Sequence, residues 1–148
     1  RTENYTKEHD LNIELQHVPF FIHAPRFIVP KNNTKNGKLI DLFPTVASLA
    51  KINHTNYTLG TNLLDSIPNK TTSFVYLKIN GEPAVGLLQD SLYYSKTIPS
   101  NTTKLYKLNE TSLTEYQDEY PMVSKEMDSL LNAFYHSAKY LYFNNKKN

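Results

Sequence analysis

Hydrophobic and polar positions change their rhythm three times along the chain. From Val18 to Ala24 apolar residues fill both parities, with Val18, Phe20, Ile22 and Ala24 on one side and Phe21 on the other. That is the pattern of an interior strand covered on both faces in a helix-flanked parallel sheet. Pro19 lacks an N–H to donate and so belongs at the start of such a strand, and Pro25 closes it. From about 39 to 50 the spacing becomes helical, carried by Leu42, Val46 and Leu49 with Ile40 and Phe43 flanking. Pro44 falls in the first turns, where a missing N–H costs least, and Asp41 stands at the positive end of the helix dipole.

A period of two takes over after Pro68. It predicts strands over Phe74–Ile79, Ala84–Gln89, Leu92–Thr97 and Lys104–Leu108. Asn80-Gly81 is a strong hairpin signal and Asp90-Ser91 separates the next pair, so the four runs form an antiparallel meander. Tyr76, Tyr93, Tyr94 and Tyr106 are expected as half-buried amphipathic cover. The last pattern is a helix over about 121–143. Val123, Met127, Leu130, Leu131, Phe134, Ala138, Leu141 and Tyr142 trace its apolar stripe, and Lys125, Asp128, Asn132 and Lys139 its polar face. Pro121 suits its first turn, with Asp118 and Glu119 just ahead of it. This reads as a packing helix and not a membrane binder, since its polar face is not notably basic.

The patterns divide the chain at the change of rhythm. Residues 1–68 carry the buried-type strand (about 18–24) and its helix (about 39–50); residues 69–148 carry the meander and the final helix. A strand covered on both faces needs neighbours, and no second strand of that kind follows. Its partners are therefore expected in chain upstream of Arg1, together with any signal or anchor, because Arg1 is not an initiator.

Composition narrows the partners. The 148 residues are 39% hydrophobic and 20% charged, within the range of a folded domain. Net charge is +2 and the basic residues are scattered apart from Lys146-Lys147, so no nucleic-acid footprint is present. Without cysteine there is neither a disulfide framework nor a thiolate metal site. No run approaches the length of a membrane span. Asn-x-Ser/Thr triplets begin at Asn4, Asn32, Asn53, Asn56, Asn69, Asn101 and Asn109. They would suit a glycosylated secreted protein. Asn, Lys, Ile and Tyr are all common here, however, and an AT-rich coding sequence is the preferred explanation.

Candidate chemistry is sparse. Glu8, His9 and Asp10 lie together but lack ligand spacing. His17 and His23 share strand parity, yet six strand residues hold them about 20 Å apart at roughly 3.3 Å each, too far for one ion. His23 is expected in or beside the core. Asp41 is read as a helix-start residue. There is no G-x-S-x-G elbow, P-loop or dinucleotide fingerprint, and only four glycines in all. No residue is assigned a catalytic, cofactor-binding or metal role.

Several of these stretches resemble one family. Val18-Pro19-Phe20-Phe21-Ile22-His23-Ala24-Pro25, then Ile40-Asp41-Leu42-Phe43-Pro44-Thr45, then Gly60-Thr61-Asn62-Leu63-Leu64, are similar in order and spacing to the C-terminal part of the sulfatase branch of the alkaline phosphatase superfamily. Glu14-Leu15-Gln16-His17 and Ile22-His23-Ala24-Pro25 look more like the lipoteichoic-acid synthase and phosphoglycerol transferase subgroup than like arylsulfatases. Leu105-Tyr106-Lys107-Leu108 resembles the family's last "L-Y-D-L" strand with Lys107 in place of the acid. Asn109-Glu110-Thr111 replaces the usual "D-P-x-E". The likeness covers about residues 13–110 well.

The resemblance implies an α/β class (α+β as a fragment): the edge portion of an alkaline-phosphatase-like sheet with a supporting helix, then a small antiparallel sheet and a C-terminal helix. It implies a parent enzyme that transfers or hydrolyses phosphate or sulfate esters, a bacterial transferase or hydrolase of the cell envelope, membrane-anchored with its domain in the periplasm or at the cell surface. A divalent metal (Mn, Zn, Mg or Ca) would lower the pKa of its nucleophile. Its substrate would be a phospholipid or glycan, and this segment's partner the upstream catalytic part of the same polypeptide. The family's Asp-His metal pair precedes the "VP" strand; His9-Asp10 has the reverse order and does not inherit that role. The alternative is a noncatalytic module offering the tyrosine-rich sheet to a glycan or polymer.

Overall fold

A computed structural model describes residues 17–32, 36–65, 72–108 and 114–145. The cluster Glu8-His9-Asp10 lies outside these residues. The fold is α+β. A 3-10 turn (Leu39–Asp41) leads into helix α1 (Leu42–Leu49); strands β1 (Thr72–Ile79), β2 (Glu82–Gln89), β3 (Leu92–Thr97) and β4 (Thr103–Lys107) follow, and helix α2 (Pro121–Asn144) ends the chain.

The four strands form one antiparallel sheet in sequential order, as their alternation and turns predict. Asn80 and Gly81 both have positive φ (51° and 83°), the conformation a two-residue hairpin requires, and this aligns Ile79 with Glu82. Asp90 has φ 53° in the next turn, which pairs Gln89 with Leu92. Alternation then sorts the side chains by face. Phe74, Val85, Leu87, Tyr94 and Leu105 meet Met127, Leu131 and Phe134 of α2, with Phe74 and Phe134 stacked at 6.3 Å. The other parity is also buried, at Leu77, Ala84, Tyr93, Ser95 and Tyr106.

The sheet thus differs from the expected half-buried cover. Tyr93 and Tyr94 are buried core residues at 1% and 3% exposure, and only Tyr76 of the four tyrosines is exposed. Tyr93 stacks on its cross-strand neighbour Tyr106 at 6.4 Å. Lys107, standing where the resemblance expects an acid, lies between the rings of Tyr116 and Tyr120 (4.2 and 4.3 Å) and donates to the Tyr120 hydroxyl at 3.0 Å. It fastens the 114–120 connection to β4, where Tyr116 N–H also donates to Leu105 O at 2.8 Å.

The first half is built differently. Val18–Ala24 forms no strand: among the described residues it pairs with nothing, and Phe20, Phe21 and Ile22 are exposed. A ladder needs a partner for each N–H and C=O, and the four-stranded sheet runs β1-β2-β3-β4 without this stretch. His23 is exposed as well, not in the core. In α1 the sense of burial is inverted. Asp41, Pro44, Thr45 and Ala47 are buried, while Leu42, Phe43 and Val46 are 41–58% exposed. The two halves touch at Lys38, whose ammonium lies 5.8 Å from the Phe134 ring, and at Asn145, whose side-chain amide donates to Tyr57 O at 3.4 Å.

Candidate functional site

Two groups of polar side chains merit examination: a buried knot at the start of α1 and an open cleft beside α2. Asp41 sits at the knot's centre and is 1% exposed. One carboxylate oxygen accepts the Lys38 N–H at 2.7 Å, closing the turn on itself in the manner of one half of a capping box. The other accepts the Thr61 N–H at 2.7 Å and the Thr61 hydroxyl at 3.3 Å, with the Lys38 ammonium 3.8 Å away. Thr45 completes the knot. Its hydroxyl donates to Asp41 O at 2.6 Å and accepts the Leu63 N–H at 3.0 Å. Gly60 is required because a Cβ there would lie 2.0 Å from Ile40 O.

These contacts give the "D-apolar-apolar-P-T" and "G-x-N-L-L" stretches one physical meaning. The first supplies a carboxylate and a hydroxyl, the second the backbone N–H groups that meet them. Asp41 therefore does more than favour a helix dipole: it joins segments twenty residues apart. Thr45, Gly60 and Thr61 have no role on periodicity alone, and the only sequence signal for them is the recurrence of the two stretches in order. With both oxygens so engaged, Asp41 is a structural carboxylate, not an open base.

The cleft is a cavity of about 400 Å³ between β3, β4 and the start of α2, lined by Tyr94, Lys96, Thr103, Gln117, Ser124, Lys125 and Asp128 among others. Most of its polar groups engage one another. Asp128 accepts from Lys96 at 3.0 Å, from the Tyr94 hydroxyl at 3.2 Å and from Asn132 at 3.0 Å, while Thr103 donates to Gln117 at 2.9 Å. The Tyr94 phenol is pushed up to about 12, chiefly by burial; a Thr103 hydrogen bond works against this and the Asp128 charge adds to it. Tyr94 thus stays protonated near neutral pH. A nucleophile held by a free base is not formed in this cleft.

Nor do the described residues fit the metal that the resemblance implies. No three His, Asp or Glu side chains gather among them, and Asp41, their one buried carboxylate, is engaged by backbone and threonine donors. No described helix is long and apolar enough to cross a membrane.

With this geometry in view, the fold can be compared: its small antiparallel sheet and flanking helices are similar to part of a larger solved structure. One solved structure that it resembles is that of BT4656, described in complex with its substrate D-glucosamine-2-N,6-O-disulfate. It matches with a TM-score of 0.54 at 14% sequence identity, over 67% of this chain and 24% of that one. The chain thus spans about a quarter of the length of BT4656. At that identity the likeness concerns the fold. No family model and no curated protein matches the chain.

Proposed function

We propose that this chain works as the C-terminal part of a metal-dependent, extracytoplasmic enzyme of sulfatase-like build, of the kind that transfers phosphoglycerol or phosphoethanolamine, and that its own contribution is scaffold. The catalytic nucleophile and the metal ligands belong, on this reading, to the upstream part of the same polypeptide, and its substrate is a phospholipid or glycan.

The observation that supports the reading best is the exposed apolar surface of the first half. Phe21, Phe27, Val29 and Leu39 are 80–89% exposed, and Val18, Phe43 and Ile52 close to 60%. The second half, by contrast, closes a core around Leu87, Leu105, Met127 and Leu131. An apolar surface of this extent marks a contact made elsewhere. Fully covering these seven side chains is worth on the order of 10 kcal/mol before ordering costs. Val18–Ala24 has the two-sided apolar pattern of a sheet interior, and α1 turns Leu42, Phe43 and Val46 outward. Both features make sense if an upstream sheet receives the strand and the helix lies against it. The glycan-module alternative gains no such support, since Tyr93, Tyr94 and Tyr106 are buried.

The test is enzymatic and genetic. The purified chain, supplied with Mn²⁺, should hydrolyse neither bis(p-nitrophenyl) phosphate nor p-nitrophenyl sulfate; metal-dependent turnover would overturn the scaffold role. The upstream reading frame should encode an Asp-His pair and a Thr or Ser nucleophile. A stop codon immediately upstream would overturn the assignment.

A further inference from the structure

Asparagine followed by glycine occurs twice in the chain, at Asn36-Gly37 and Asn80-Gly81. Such a pair carries a chemistry of its own. The glycine nitrogen has no Cβ beside it to hinder an approach to the side-chain amide carbon of the asparagine, and asparagine is among the heat-labile residues. The two atoms must come together around the asparagine Cα–C bond, so backbone conformation decides which pair can react.

Asn80 is held away from that geometry. It is exposed, but φ values of 51° at Asn80 and 83° at Gly81 make a type I′ turn, closed by the Ile79–Glu82 pair. Such a turn keeps ψ of its first central residue at roughly +30°, which sets the Gly81 nitrogen anti to the Asn80 Cβ. Asn36 carries no such restraint. It is half-buried in irregular chain just ahead of the 3-10 turn, with Gly37 exposed to solvent. Neither its side-chain amide nor the Gly37 N–H is held by a hydrogen bond among the described residues.

The surroundings of Asn36 give the reaction a consequence. A Cβ at Gly37 would lie 3.1 Å from Leu63 Cδ1, so the main chain here is seated on that side chain. The Leu63 N–H in turn donates to Thr45 at 3.0 Å. One residue further, Lys38 gives its N–H to Asp41 at 2.7 Å, and its ammonium lies 3.8 Å from the same carboxylate and 5.8 Å from the Phe134 ring. Asn36 thus adjoins both the Asp41 knot and the contact between the two halves.

We propose that Asn36-Gly37 is a self-modification site, at which the chain converts Asn36 to isoaspartate, and that the product loosens the Asp41 knot. The Gly37 nitrogen gives its proton to solvent and bonds to Asn36 Cγ. The Cγ–Nδ2 bond breaks, and the departing nitrogen takes up a proton and leaves as ammonia. Water then opens the resulting succinimide ring at either carbonyl. One opening leaves an ordinary aspartate. The other carries the main chain through Cβ as isoaspartate, one methylene longer, with a free α-carboxylate close in sequence to Lys38. The knot must then absorb the added length next to Gly37, while Lys38 gains a competing anion. This goes beyond the scaffold role and does not depend on it.

The test is ageing of the whole chain at pH 8 and 37 °C, followed by cleavage before aspartate into the fragments 10–40 and 65–89, which separate the two pairs. New cleavage at residue 36 marks aspartate; a deamidated fragment that resists cleavage there marks isoaspartate. In the folded chain Asn36 should convert about tenfold or more faster than Asn80, whose turn must first open. In urea, where the turn is lost, the two rates should come within about threefold of each other. Aged chain should exchange its Thr61 and Lys38 amides about tenfold or more faster than fresh chain. Asn36→Gln, which would have to close a six-membered ring, should keep both protected through the same ageing. Three results would overturn the proposal: Asn36 unconverted or no faster than Asn80 in the folded chain, the same rate ratio in urea, or undiminished Thr61 protection in chain converted at Asn36. None of them bears on the turnover test of the scaffold role.

Discussion

Replacing Asp41 by alanine tests the buried knot directly. The substitution removes a carboxylate that accepts two backbone N–H groups at 2.7 Å and a threonine hydroxyl at 3.3 Å. A hydrogen bond to a charged group is worth about 1.5–3 kcal/mol net. Losing the two short ones should therefore cost the 38–63 region about 3–5 kcal/mol. A small cavity adds to the loss, since Asp41 is 1% exposed. The most direct assay is amide hydrogen exchange. Thr61 and Lys38 should exchange about two to four orders of magnitude faster in Asp41→Ala, because their protection follows the local opening free energy. Leu87 and Tyr94, in the interior of the sheet ladder, should be nearly unchanged and serve as the internal reference. Asp41→Asn should give a partial effect, since its carbonyl satisfies one donor while its NH₂ group confronts the other. The reasoning fails if Thr61 protection changes by less than tenfold in a variant whose sheet amides remain intact.

Two further outcomes follow from the sheet. Gly86→Ala would place a Cβ 2.8 Å from Tyr93 and 2.9 Å from Val75 in a closed interior. It should lower stability by about 1–3 kcal/mol in urea denaturation, the range for overpacking a core, whereas Gly81→Ala meets open space and acts only through its positive φ. The second concerns alkaline pH. Tyr94 is held near 12 in the folded chain against 10 for an ordinary phenol. Between those values the native state keeps a proton that the unfolded state has lost. Stability is therefore fully present below pH 10 and falls as pH rises toward 12. Tyr93 is raised as well, mainly by burial and further by Tyr106, and steepens the same limb. Tyr94→Phe should flatten that limb in denaturation series from pH 9 to 11.5; an unchanged slope would refute the assignment.

How far the sequence reached can be seen element by element. Asn80-Gly81 and period-two alternation located the four strands to within two residues, because a hairpin turn and a pleat are satisfied within a few residues of chain. The 3.6-residue stripe placed α2 at about 121–143, one residue short of its observed end at Asn144, for the same reason. Asp41 was legible as the start of a helix. Its link to Thr61 was not, since nothing local to either residue fixes their distance. The knot became visible only when the chain brought Gly60–Leu63 back across Ile40 and Thr45.

What the sequence determined by itself, then, was the local alphabet: where the four strands of the meander and the two helices lie, which residues turn the chain, and which stretches are apolar. Tertiary structure decided which of those faces finds a partner. It buried Tyr93 and Tyr94, left Val18–Ala24 without a ladder, turned Leu42 and Phe43 of α1 outward and released Tyr140, Tyr142 and Phe143 at the end of α2. Periodicity reports that a face is apolar; burial depends on a second surface arriving opposite it. For the sheet that surface is α2, within the same chain. For the first half it is not among the described residues.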